Sequence, residues 1–159
     1  MSASEQGQAV RDEGDIAADY LEALLDIADL DGDLEIEVAN GRTYVSIESE
    51  SSEDLRALSK PDVVTALQEL TRLAVQQETG EFSRMVLSVA GSREQREREL
   101  ERLVEHAIAQ IAEGASSAAL PPMSSYERKL IHDLVSERGY VSASHGEGAD
   151  RHTVISPAP

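Results

Sequence analysis

The amino-acid sequence predicts an α+β fold in two parts. Two helical patterns enclose a strong hairpin signal in the first part. In the second, two further helices precede a pair of short strands. Charge separates the parts as well: residues 1–60 hold 16 Asp/Glu against 4 Lys/Arg, and residues 61–159 hold 15 against 10.

The elements follow in order. Asp15 to Ala28 places Ile16, Tyr20, Leu24 and Ile27 at helical spacing, with Ala17 and Leu21 alongside. In LEIEVANGRTYVSIES, Leu34, Ile36 and Val38 alternate with Glu35 and Glu37, and Thr43, Val45 and Ile47 alternate on the return strand. Asn40-Gly41 supplies a two-residue turn, because both residues tolerate positive φ. A short helical piece, EDLRAL, follows in a polar connector. Pro61 then suits the first position of a long helix, with Val63, Val64, Leu67, Leu70, Leu73 and Ala74 as its apolar face and Gly80 as its stop. FSRMVLSV reads as a strand. The order is helix, strand, strand, helix, helix, strand, ending near Ala90.

Ser92 opens the next helix, with Gln95 three residues on as a capping-box partner. Its apolar residues are Leu100, Leu103, Val104, Ala107, Ile108 and Ile111, and Gly114 ends it. GASSAALPP reads as a loop of small residues. SSYERKLIHDLV is a second capped helix, with Ser124 and Glu127 in the S-x-x-E spacing. Short strands near Tyr140–Ala143 and Thr153–Ile155 complete a small second α+β domain. The predicted domains are a disordered polar tail over 1–14, a first domain over 15–90 and a second over 91–157.

Composition narrows the function. Aromatics are 3% of the chain, so the core is built from Leu, Ile, Val and Ala. The absence of cysteine excludes disulfides, thiolate zinc sites and a cysteine nucleophile. The histidines, His106, His132, His145 and His152, form no metal-ligand motif, and no cofactor is expected. DLDGDLEIE suggests a calcium loop, but Leu34 stands where the turn glycine is needed and Asn40 where the twelfth-position Glu is needed. There is no P-loop, G-x-S-x-G or dinucleotide fingerprint, so an enzyme is not expected. No run is long and apolar enough to span a bilayer, and MSASEQGQAVRDEGD lacks the features of a signal peptide. The expectation is a soluble, cytoplasmic protein without membrane insertion. A net charge of −17 repels nucleic acid at long range, so any such contact must come from a local basic face.

One helix offers such a face. At about 100° per residue, Leu130, Ile131, Leu134 and Val135 cluster on one side of SSYERKLIHDLV. Arg128 and His132 fall about 40° apart and are expected on the opposite half, with Ser125 and Lys129. These hydroxyl, guanidinium, ammonium and imidazole donors suit phosphate oxygens. Tyr126 flanks them as a ring that either stacks on a base or packs at the core edge.

Arg128-x-x-x-His132, the preceding Leu120-Pro121-Pro122-Met123-Ser124 and the following Arg151-His152-Thr153-Val154-Ile155 resemble the R-3-H domain, a single-stranded nucleic-acid binder. The run ALQELTRLAVQQETGEFSRMVLSVAGSREQREREL resembles the bacterial Jag, or SpoIIIJ-associated, family. There a type II KH domain, with the element order just derived, precedes the R-3-H domain. The resemblance covers roughly residues 15–157. It implies an RNA-binding regulatory protein whose partner is single-stranded RNA or DNA. Arg128, His132, Lys129, Ser125, Tyr126 and Arg151 are the implied contact residues.

The chain departs from that family at the loop between its two middle helices, and it has Ser92 where the family has a tyrosine. A KH domain holds the backbone through a G-x-x-G loop, where glycines let N–H groups approach phosphate. The equivalent residues are Leu58-Ser59-Lys60-Pro61, with Ser59 and Lys60 as the remaining polar candidates. The first domain is therefore expected to be degenerate for RNA. The alternative is a protein-interaction adaptor with little RNA affinity, meeting a small KH-domain protein. Arg93, Arg96, Arg98 and Arg102, interleaved with Glu94, Glu97, Glu99 and Glu101, read either as an extended phosphate track or as a helix laced with ion pairs.

Overall fold

A computed structural model describes residues 12–50 and 52–159 of the chain. It divides into two compact units, one ending at Glu94 and one beginning at Gln95. The fold is α+β, as predicted. The tail expected over 1–14 lies mostly outside the described residues. Its end is ordered instead, because Asp12 caps the first helix by accepting a hydrogen bond from the Gly14 N–H at 3.0 Å.

The first unit contains α1 (Glu13–Ile27), β1 (Asp33–Ala39), β2 (Arg42–Glu48), α2 (Ser52–Arg56), α3 (Pro61–Thr79) and β3 (Val86–Val89). This is the type II KH-like order. β1 and β2 form the expected hairpin in the register Ala39↔Arg42, with Asn40 and Gly41 at φ +53° and +73°. β3 then lies parallel to β2, so the sheet order is β1-β2-β3. A parallel neighbour needs a crossover, which α2 and α3 supply.

The core of this unit joins Ala17, Leu21 and Leu25 of α1 to Val45, Ile47, Leu55, Leu67, Val75, Met85, Leu87 and Val89. Two helix faces differ from expectation. In α1 the stripe centres on Ala17, Leu21 and Leu25, leaving Ile27 88% exposed. In α3 the buried stripe is Leu67, Thr71 and Val75, while Leu70 and Leu73 are 49% and 60% exposed. Thr71 can occupy the core because its hydroxyl donates to the Leu67 carbonyl at 2.6 Å, which satisfies it within the helix. Gly80 ends α3 at φ +77°, as a C-terminal glycine should.

Ser92 also behaves differently from the sequence reading. Its hydroxyl accepts from the Val89 N–H at 2.8 Å, and the Ser88 hydroxyl accepts from the Arg93 N–H at 3.3 Å. The two serines staple the end of β3 to the start of the next helix. The positive φ values of Ala90 and Gly91 fold the chain back to allow it.

That helix, α4 (Ser92–Ala112), leads into the second unit. There follow β4 (Ala118–Ala119), α5 (Ser125–Glu137), β5 (Tyr140–His145) and β6 (His152–Pro157), with a 3₁₀ turn at Gly148–Asp150. β4 lies inside the segment expected to be a loop. It pairs Ala118 with Ile155 and Ala119 with Val154, giving an antiparallel sheet in the order β4-β6-β5. Leu100, Val104, Ala107 and Ile111 of α4 repeat at i, i+4, i+7 and i+11, the helical period. They form one core with Ile131 and Val135 of α5, Leu120, and Ile155 of β6.

The β5–β6 turn depends on Gly146. It has φ +87°, and a Cβ there would stand 2.9 Å from the Asp150 carbonyl oxygen. Gly148, at φ +57°, has open space around it. Gly148→Ala should cost about 1 kcal/mol, the left-handed penalty alone. Gly146→Ala should cost about 2–3 kcal/mol, because backbone must also shift. Urea unfolding of the two variants side by side checks the order.

Candidate nucleic-acid interface

Ser124 starts α5 by accepting from the Glu127 N–H at 3.2 Å. The reciprocal half of the expected box is replaced, because the Glu127 carboxylate goes to Arg96. Arg96 Nε and Nη2 donate to its two oxygens at 2.8 and 3.3 Å, and Nη1 donates to Glu99 at 3.1 Å. Hydrogen bonding to Glu127 raises the Arg96 pKa, against an opposing contribution from partial burial. A bidentate pair of this kind neutralises the guanidinium. Arg138 is similarly placed between Glu101 and Glu105, at 3.2 Å from each. For Arg96, the ion-pair reading of the α4 arginines therefore holds. Arg98 and Arg102 lie exposed on the same helix.

Helix α5 packs on β5 with Ile131 and Val135 fully buried. This seat corrects the expected outward placement of Arg128 and His132. By helical rotation Arg128 lies only about 20° from Val135, and His132 about 60° from it. Both side chains are half-buried against β5. The Arg128 Nε–H donates to the Met123 carbonyl at 3.3 Å, and Nη1 donates to the Ser144 hydroxyl at 3.0 Å. His132 Nε2 lies 3.2 Å from the same Ser144 oxygen, and Nδ1 meets the hydroxyl of Ser142. Ser142 and Ser144 were not singled out in the sequence. The signal was available: YVSASH alternates with period two, which puts both serines on one face with half-buried Tyr140.

The other predicted residues surround this group. Ser125 and Lys129 are exposed, and continue the rotation beyond His132. Tyr126 is half-buried. Arg151 is exposed at the foot of β6. Its guanidinium donates to the Gly146 carbonyl at 2.9 Å, and its own carbonyl accepts from the Met123 N–H at 3.2 Å. Met123 thus bridges the Arg151 backbone and the Arg128 side chain. Beside Arg151, His152 Nδ1 lies 2.9 Å from the Asp150 carbonyl, and its ring is 6.3 Å from that of His145, centroid to centroid.

Ser59 and Lys60 belong to the first unit. The Ser59 N–H donates to the Leu55 carbonyl at 2.9 Å and its hydroxyl donates to the Arg56 carbonyl at 2.9 Å. Leu58 packs against the core. Pro61 has no N–H, and Asp62 Oδ1 accepts from the Val63 N–H at 3.0 Å. The Ser59 donors are thus engaged and the Pro61 N–H is absent, which leaves the exposed Lys60 side chain beside a carboxylate in the first turn of α3.

A capped Arg-x-x-x-His helix on a small antiparallel sheet, with Arg128 and His132 held against β5, marks the class of the second unit. It is an R-3-H domain: residues 98–157 match the model of that domain family. Over more of its length the chain is similar to proteins of the family its sequence resembles. It is 28% identical to the RNA-binding protein KhpB of Clostridium symbiosum over 145 residues, covering 89% of this chain and 65% of that protein. It is 36% identical to the RNA-binding protein KhpB of Bacillus subtilis (strain 168) over 98 residues, covering 58% of this chain and 46% of the relative. The protein of that name from Lactiplantibacillus plantarum is 27% identical over 167 residues, covering 96% and 51%. The chain spans about half to two-thirds of the length of these relatives.

Because Arg96 bridges α4 to α5, it can be tested apart from any ligand. A double-mutant cycle of Arg96→Ala and Glu127→Ala should give a coupling of about 0.5–1 kcal/mol, the upper part of the range for exposed pairs. The coupling should shrink in about 1 M salt. A value near zero in dilute buffer would show that the pair is only incidental.

Proposed function

We propose that this chain binds single-stranded RNA, chiefly through the R-3-H unit. The observation that carries the reading is Arg128. Its guanidinium is anchored on the Met123 carbonyl and the Ser144 hydroxyl, neither of which carries a charge. Lys129, Ser125 and the Arg151 edge supply further donors around it. Such a group suits phosphate oxygens. The names of the curated relatives as RNA-binding proteins support the same assignment.

The first unit takes a smaller part in this reading. The engaged N–H of Ser59, the missing N–H of Pro61 and the Asp62 carboxylate all oppose phosphate at the KH loop. This unit instead contacts protein. The proposal includes no catalytic step. No helix among the described residues is long and apolar enough to cross a membrane.

Affinity is expected to be modest and salt-dependent, since the net charge of −17 opposes long-range attraction. Titration of labelled single-stranded RNA at several salt concentrations tests the assignment. Arg128→Ala should weaken binding and lower the slope of log K against log salt by about one unit, the loss of one phosphate contact. Lys60→Ala should change neither. Unchanged binding in an Arg128→Ala, His132→Ala double variant would remove the R-3-H helix from the site.

A further inference from the structure

We infer that His132 is a positioning residue rather than a ligand contact, and that Ser142 and Ser144 complete the device by which it holds Arg128 ready for phosphate. The inference rests on the RNA-binding reading above and changes the role of its central histidine.

The geometry carries it. An imidazole has two polar atoms, and both are engaged by β5: Nδ1 by the Ser142 hydroxyl and Nε2 by that of Ser144. The ring is half-buried between helix and strand, so no nitrogen is left to meet a phosphate or base. Arg128 differs. Its Nε–H and one Nη1–H are engaged by Met123 and Ser144, and a guanidinium has further donors. The two residues meet at a single atom. Ser144 Oγ accepts from Arg128 Nη1 at 3.0 Å, and can give its own proton to His132 Nε2 at 3.2 Å. In that arrangement His132 Nδ1–H donates to Ser142. Each hydroxyl then has a defined direction, and the acceptor for Arg128 is oriented by the histidine behind it. Removing the ring would free the Ser144 hydroxyl to rotate, and with it the arginine.

A positioning role and a contact role predict different results. In the full chain, His132→Ala and Ser144→Ala should each weaken single-stranded RNA binding by roughly 3- to 10-fold, the effect of one lost hydrogen bond. Neither should alter the salt slope. In an Arg128→Ala background His132→Ala should cost nothing more, because it acts through the arginine. Ser144→Thr keeps the hydroxyl and should restore binding.

A second readout needs no RNA. Hydrogen exchange of the Arg128 Nε–H, followed by NMR, should be slow in the wild type. It should be severalfold faster in His132→Ala and Ser144→Ala, and unchanged in Lys129→Ala. The inference is overturned if His132→Ala lowers the salt slope by about one unit, or if its cost persists in the Arg128→Ala background. It is equally overturned if exchange at Arg128 is unaffected in folded Ser144→Ala. Absence of RNA binding by the wild type would defeat the functional reading instead, and the exchange measurement would then decide the positioning role alone.

Discussion

Burial of Ile131 and Val135 against the β4-β6-β5 sheet leaves little freedom in where Arg128 and His132 fall. Residues four apart on a helix share a face, so the core pair carries the polar pair with it at a fixed rotation. Turning α5 far enough to expose His132 would drag Val135 out of the core. Removing an aliphatic side chain from a packed interior costs about 2–5 kcal/mol, more than a surface contact returns. The polar pair therefore lies over β5, and β5 has to offer it partners. Serine at alternate positions does so, with hydroxyls small enough to fit beneath the helix.

Charge imposes the complementary constraint. A chain of net charge −17 cannot attract a polyanion by its overall field. It also contains enough carboxylates to neutralise most cations placed near them. Arg96 and Arg138 illustrate this, since each is bound by two glutamates. Arg128 avoids that fate because its partners are a carbonyl and a hydroxyl, which orient the guanidinium without cancelling its charge. Distinguishing cations held by acids from cations held by neutral acceptors matters more here than counting basic residues.

The sequence revealed the architecture where local chemistry decides it. Asn40-Gly41 specifies its turn through backbone conformation alone, and the alternation on either side sets the register. Pro61 and Gly80 bracket α3 for equally local reasons. Rotation of a helix against its neighbours is not local. Thr71 enters the core and Leu70 leaves it because of where the sheet lies, which a helical wheel cannot supply. The same limit misplaced Arg128 and His132. Averaging over Leu130, Ile131, Leu134 and Val135 put the apolar centre too far from Arg128, since Ile131 and Val135 alone are fully buried. β4 escaped notice because two residues carry no periodicity. Ser92 misled because a serine before a helix can satisfy a strand end as readily as a helix start.

A fixed guanidinium is also what weak long-range attraction demands. Ordering a free arginine side chain on binding costs up to about 2 kcal/mol of rotamer entropy. A strongly basic protein can absorb that cost, because many phosphate contacts contribute to affinity. On the RNA-binding reading proposed above, the cations of the R-3-H helix gain most by binding with little ordering left to do. Anchoring Arg128 during folding moves that cost out of the binding step, and the stability of the α5–β5 packing bears it instead. On that proposed reading, the serines of β5 and the imidazole above them serve binding as much as the arginine does, although no ligand atom need touch them.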